Sequence, residues 1–333
     1  MASPPSATFM FPSPVGGVPL PLDYAPSVLF SVLYALLVPV MVYRQARKRS
    51  RNVVTIGTMG FAVGQIVVFA LRAIQAHSPT RRFSTPWIKY MQSTYGAGYI
   101  SVVADLFALI LCVVINASEG NPRIHLWGEK SIVSIDGVSI PSMTFSSESG
   151  EVEDRARERR WYRWICGISR ILFLVPLLLA IVSGTLYPKA QTDAATAQIV
   201  MNTRYASSIV TCCMLSTLTF LSIYWTLTVR NIVRRPCYMI AFLSILLNVI
   251  TIYRLIIMHN QTTSLSSTSP GSLNSEVSKA CFYIFQAAPE WLTAAFLISI
   301  NIPKRFGTGF LGDKFNDKKS EGRWADWGNW RRK

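Results

Sequence analysis

Charge is scarce in this 333-residue sequence: 15% of its residues are Asp, Glu, Lys or Arg, where a soluble domain carries about 25%. That shortage argues against a soluble enzyme. Acids are the scarcer sign, 17 against 33 Lys and Arg, and the net charge of +16 suits nucleic acid or a membrane surface as partner. Histidine is rarer still. His77, His125 and His259 lie far apart, which argues against a histidine-rich metal hydroxylase or a metalloprotease. No cofactor, metal or catalytic residue is expected. Six cysteines (Cys112, Cys166, Cys212, Cys213, Cys237 and Cys281) sit in or beside apolar stretches, so they cannot form a disulfide framework between loops. They read as small packing residues, with Cys237, beside Arg234-Arg235-Pro236, a palmitoylation candidate.

What the chain has in quantity is long apolar runs, half of its residues being hydrophobic. Seven blocks, at 24–43, 53–76, 90–115, 161–186, 204–229, 238–258 and 280–302, are each long enough to cross ~30 Å of hydrocarbon as a helix. None alternates like a barrel strand, and backbone groups in lipid must be satisfied within the segment. The expected fold is therefore an all-α bundle of seven transmembrane helices over 24–302, with membrane lipids rather than nucleic acid as partners. Residues 1–23, rich in Pro, Ser and Gly and free of Lys and Arg, lack the pattern of a removable signal peptide and read as a short flexible tail.

Lys and Arg counts set the expected orientation. The connections 44–52, 116–160 and 230–237 with the tail 303–333 hold 23, against six on the other side. The N-terminus is thus expected outside and the C-terminus in the cytosol, the protein being integral to a plasma membrane or other endomembrane. Asn260, in Asn260-Gln261-Thr262, is the candidate glycan acceptor; a glycan on Asn116, in Asn116-Ala117-Ser118, would reverse this orientation. In the cytosolic 116–160 connection, alternation around Asp136-Gly137 predicts a hairpin, followed by an acidic, serine-rich stretch at 146–151 open to phosphorylation. The basic tail carries Trp324, Trp327 and Trp330, spaced to meet an anionic leaflet.

Ionisable residues inside the spans cost roughly 2.5–3.5 kcal/mol each on insertion scales, so they need partners or a wet cavity. Glu290 lies near the midplane, with Gln286 four residues before it and Pro289 between. Arg72 and Arg254 fall about 10 Å toward the N-terminal side. Together these four are the candidate ligand-binding group, Glu290 pairing with an arginine in an outer-facing polar cavity; the plainer alternative is a packing bridge with snorkelling arginines. Asp105 and Arg170 are a candidate charge pair between helices 3 and 4. Gly60 and Gly64 have the small-xxx-small spacing of a close helix contact, and Pro39 and Pro176 mark kinks.

Three motifs carry a family resemblance: Tyr24-Ala25-Pro26-Ser27 at the start of helix 1, Ile252-Tyr253-Arg254 in helix 6, and Phe282-Tyr283-Ile284-Phe285-Gln286-Ala287-Ala288-Pro289 in helix 7. With the span pattern, they resemble the fungal lipid-translocating exporter (RTA-like) family of seven-helix proteins. Gln286 stands where that family usually has Asp, Gln65 where it usually has Glu, and no acid follows Arg254. The resemblance implies a distant member that binds or moves an amphiphilic lipid or toxic amphiphile without being an enzyme. The alternative class is a seven-helix receptor acting on a cytosolic partner through 116–160 and the tail. It lacks support from motifs: no Asp-Arg-Tyr ends helix 3 and no Asn-Pro-x-x-Tyr ends helix 7.

Overall fold

A computed structural model describes residues 9–47, 50–118, 156–229 and 232–308. The expected hairpin, the serine-rich stretch and the tryptophan-bearing tail lie outside these residues. The protein is an all-α bundle with, among the described residues, seven helices long and apolar enough to cross a membrane: spans 1 to 7 are Pro21–Ala46, Ile56–His77, Thr85–Ile115, Gly167–Ala190, Ala194–Thr228, Arg234–Ile257 and Glu276–Ser299. Five of them begin before the apolar blocks do, and in spans 1 and 7 the added residues include Asp23 and Lys279, which find partners inside the bundle. Spans 1 to 7 follow one another around the bundle and span 7 returns to spans 1 and 2. Span 3 is central, with 78% of its most apolar window buried against 28% in span 1. Outward faces carry Leu29, Leu178, Phe220 and Phe242, all more than half exposed, as lipid-facing positions should be.

Local breaks follow from the chain. Span 1 is interrupted at Leu36, between helices Tyr24–Ala35 and Leu37–Ala46, because Pro39 offers no N–H to the Ala35 carbonyl and crowds it. Span 7 contains a π-helical turn at Tyr283–Ala287, directly before Pro289. Such turns insert a residue and rotate side chains onto new faces.

Close helix contacts do not use the pair anticipated from spacing. Gly60 is exposed, with nothing near its missing side chain, and Gly64 has only Thr94 at 3.9 Å. Spans 3 and 4 meet instead at Gly184, where a Cβ would lie 2.4 Å from the Ser93 backbone, and at Gly96 against Ala180. Gly184→Ala is expected to cost about 1–3 kcal/mol by overpacking. Gly60→Ala should be neutral or stabilise by up to about 1 kcal/mol through helix propensity. Thermal unfolding of the two purified variants in one detergent checks both.

From Phe11 onward the N-terminal segment is an ordered part of the bundle, which corrects the expectation of a flexible tail there. Strand β1 (Phe11–Pro12) pairs antiparallel with β2 (Gln261–Thr262), Phe11 facing Thr262. Pro12 is tolerated because a two-strand edge needs no donor from it. A tight turn follows: Gly17 N–H donates to Pro14 O at 2.9 Å, with Gly16 and Gly17 at φ +77° and +65°, values glycine adopts without strain. Phe11, Val15 and Val18 point inward and are 2–4% exposed. Burying such side chains stabilises by about 1.5–3 kcal/mol each, enough to hold a short segment that also satisfies its backbone. The segment closes the N-terminal mouth of the bundle.

Candidate functional site

The expected pairing of Glu290 with Arg72 does not occur. Arg72, 1% exposed, turns toward the mouth, where its guanidinium meets Asp23 Oδ1 at 2.8 Å, the Gly16 carbonyl and the Tyr283 hydroxyl at 3.1 Å. It also lies 4.8 Å from the Phe282 ring centroid. Lys279 binds the other Asp23 oxygen and donates to Val18 O at 2.7 Å. Asp23 wins because it stands at the start of span 1, level with both cations, whereas Glu290 lies deeper. Snorkelling of Arg72 is equally ruled out by its burial.

Arg204 supplies a third buried cation, 5% exposed. Its guanidinium donates to Ser13 O at 3.0 Å and Gln92 Oε1 at 2.9 Å and sits 4.7 Å from the Tyr187 ring centroid. Gln92 in turn grips the segment, accepting from Val15 N–H at 3.1 Å and donating to Val15 O at 3.3 Å. Asn274 Oδ1 accepts from Val18 N–H at 2.8 Å, and the Tyr187 hydroxyl donates to Pro12 O at 3.0 Å. The two charge-assisted bonds from Arg204 contribute about 1.5–3 kcal/mol each, and the neutral ones about 0.5–1.5 kcal/mol each. The outer-facing cavity expected from the sequence is thus closed by the chain itself.

Below this closure lies a polar core around Glu290. Gln65 Nε2 donates to Glu290 Oε2 at 3.0 Å. Gln286 lies beside the same carboxyl, and Tyr34 and Arg254 are within its electrostatic reach. Arg254 donates to the Tyr95 carbonyl and lies 5.4 Å from the Tyr99 ring centroid, so it joins the group without forming the expected ion pair. The second Glu290 oxygen, Gln65 Oε1, both Gln286 amide atoms, Arg254 Nε and the hydroxyls of Tyr34 and Tyr99 are buried with no well-formed protein hydrogen bond. An unsatisfied buried polar atom costs about 1–3 kcal/mol. So many in one place suit a site that receives a polar ligand or water, and fit poorly with a packing bridge. Three of the four candidate residues, Glu290, Gln286 and Arg254, are brought together; Arg72 is not.

At the opposite end lies Asp105, one member of the second candidate pair. Asp105 Oδ2 accepts from Thr58 N–H at 2.6 Å and Thr58 Oγ1 at 2.7 Å. It caps the first turn of span 2, whose own Thr55 makes no side-chain cap, and an acid is favoured there by the orphan donors and the helix dipole. The side chain of Arg170 lies outside the described residues. Asn260 folds back on span 6, its Nδ2 donating to Ile257 O at 3.1 Å, while its carbonyl accepts from Ser13 N–H at 3.1 Å. A glycan on Asn260 would have to replace the first of these bonds. Cys237 is fully buried, so the palmitoylation reading falls.

On the outer wall of spans 6 and 7 lies a half-open recess of about 550 Å³. Ile252, Ile256, Val277 and Cys281 line it, with Asn260 and Ser278 at the mouth end. Its wall includes Tyr253 and Phe285, stacked at 6.1 Å between ring centroids. The π turn places Phe285 in this recess while Gln286 is buried inside, and Tyr253 and Arg254 divide in the same way.

Asp23, Lys279, Arg204 and Gln92 were missed by sequence reasoning. For Lys279 a signal existed: Lys279, Tyr283, Gln286 and Glu290 recur at the spacing of one helix face. Comparison of the chain with family models, curated proteins and solved structures finds no match.

Proposed function

We propose that this multi-pass membrane protein binds, and moves, an amphiphilic lipid, in line with the family resemblance of its motifs. The observation that carries the reading is the recess between spans 6 and 7. It is apolar along its length, polar at the end level with the closed mouth, and open sideways to lipid, the form expected of a site for an acyl chain with its headgroup at the interface. Behind the Tyr253–Phe285 ring pair lie Arg254, Gln286 and Glu290, whose unpaired atoms would receive a headgroup admitted through that wall. The chemistry required of the protein is binding and exchange of surroundings, with no bond made or broken.

Filling the recess tests this. Cys281→Trp is expected to lower the amount of co-purifying single-chain lipid about tenfold, a loss of roughly 1.4 kcal/mol, with unfolding unchanged. Mass spectrometry of protein extracted from its membrane provides the measurement. Unchanged lipid content in a folded Cys281→Trp variant would remove the recess as the site.

A further inference from the structure

We propose that the N-terminal mouth is a binding site for a phosphate-type oxyanion, held shut by residues 11–18, whose own carbonyl oxygens stand in for the anion. Three buried cations from three different spans, Arg72, Arg204 and Lys279, donate to the carbonyls of Gly16, Ser13 and Val18. These acceptors lie within six consecutive residues of one segment. They are neutral, and the single buried carboxylate at this level among the described residues, Asp23, serves Arg72 and Lys279. Arg204 has two neutral oxygens and an aromatic face. Two cationic charges in excess of Asp23 are therefore buried against dipoles alone, a poor balance where the dielectric is low. A phosphate monoester carries close to two negative charges and three acceptor oxygens, which matches both the excess and the number of donors.

The segment is built to hold this place and to leave it. Besides the three cations, its links to the bundle are two hydrogen bonds between Val15 and Gln92, one each to Asn274, Tyr187, Gly271 and Asn260, and one two-residue strand pair. While the closed form dominates, the apparent affinity for an anion is reduced by the small open fraction. The mouth has its own test, at Gly17 in the closing segment rather than at Cys281 in the wall of the recess.

Gly17→Ala releases the segment in the full chain, because the new Cβ would fall 2.4 Å from Leu273 O. Two probes are titrated into purified protein: inorganic phosphate, and lysophosphatidate in micelles with lysophosphatidylcholine as control. Gly17→Ala is expected to bind an oxyanion probe about tenfold more tightly than the parent chain, with fast hydrogen exchange at residues 11–18 reporting the release. Adding Arg204→Gln should abolish the gain. A gain confined to lysophosphatidate identifies a lipid headgroup; an equal gain for inorganic phosphate identifies a soluble oxyanion. Should Gly17→Ala not fold, Asn274→Ala removes the acceptor of Val18 N–H and should give a smaller gain of the same sign. Released segments with unchanged affinity for both probes, or a gain that survives Arg204→Gln, would overturn the proposal.

Discussion

Asp23→Ala is expected to lower the unfolding free energy by about 3–5 kcal/mol, the range for removing one partner of a buried pair, and is the most damaging single substitution proposed. Asp23 holds both Arg72 and Lys279, and the two cations are 1% and 2% exposed. Without the carboxylate, two positive charges stay buried with only carbonyl and phenol oxygens to face. Most of the loss is the penalty on those stranded charges, so removing one of them should return part of it. The double variant Asp23→Ala with Lys279→Met is expected to be at least about 1 kcal/mol more stable than the sum of its single changes. A loss under about 1 kcal/mol for Asp23→Ala, the size of a surface pair, would mean that Arg72 and Lys279 reach water after all. Chemical or thermal unfolding in a fixed detergent measures all three variants.

Glu290→Gln is expected to separate function from stability. The carboxyl makes one well-formed protein hydrogen bond, from Gln65, and an amide oxygen can accept it in place of the carboxylate. Stability should therefore change by less than about 1 kcal/mol. On the proposed function, lipid-dependent protection of cells should fall at least about tenfold, because the second carboxylate oxygen makes no well-formed protein hydrogen bond and an ionisable residue within a span is a functional-site candidate. A Glu290→Gln variant that unfolds as readily as Asp23→Ala while protecting cells fully would make Glu290 a packing residue.

How far the sequence reached depends on the kind of signal. The seven spans were legible because runs of about twenty apolar residues have one economical solution in lipid. The grouping of Glu290, Gln286 and Arg254 was legible from depth along the helix. Depth could not choose between Arg72 and Arg254 as partners, since that depends on which acid lies level with each. Asp23 was read with the Pro-rich tail preceding it, because a segment that folds by caging its backbone among distant side chains has no periodicity to detect. Ser13, Val15 and Val18 are held by Arg204, Gln92 and Asn274, contacts spanning 77 to 256 positions of sequence. The glycine spacing misled for a related reason: Gly60 and Gly64 have the right interval, but nothing lies within 4 Å of a Cβ at Gly60 and only Thr94 at 3.9 Å of one at Gly64, whereas Gly184 meets the Ser93 backbone. The π turn, which sends Phe285 to the recess and Gln286 to the core, has no sequence mark beyond the neighbouring Pro289.

The closed mouth and the side recess together suggest a division of labour. If an amphiphile is admitted from the bilayer between spans 6 and 7, its tail stays among Ile252, Ile256 and Cys281 while its headgroup meets Gln286 and Glu290 past the aromatic pair.

Photocrosslinking with a single-chain lipid that carries a diazirine in its tail tests lipid occupancy of the recess most directly, through the adducted residues in native membrane. Adducts are expected to concentrate on Ile252, Ile256 and Cys281 and to be competed away by excess unlabelled lipid. Adducts spread evenly over lipid-facing positions such as Leu178, Phe220 and Phe242, without competition, would contradict it.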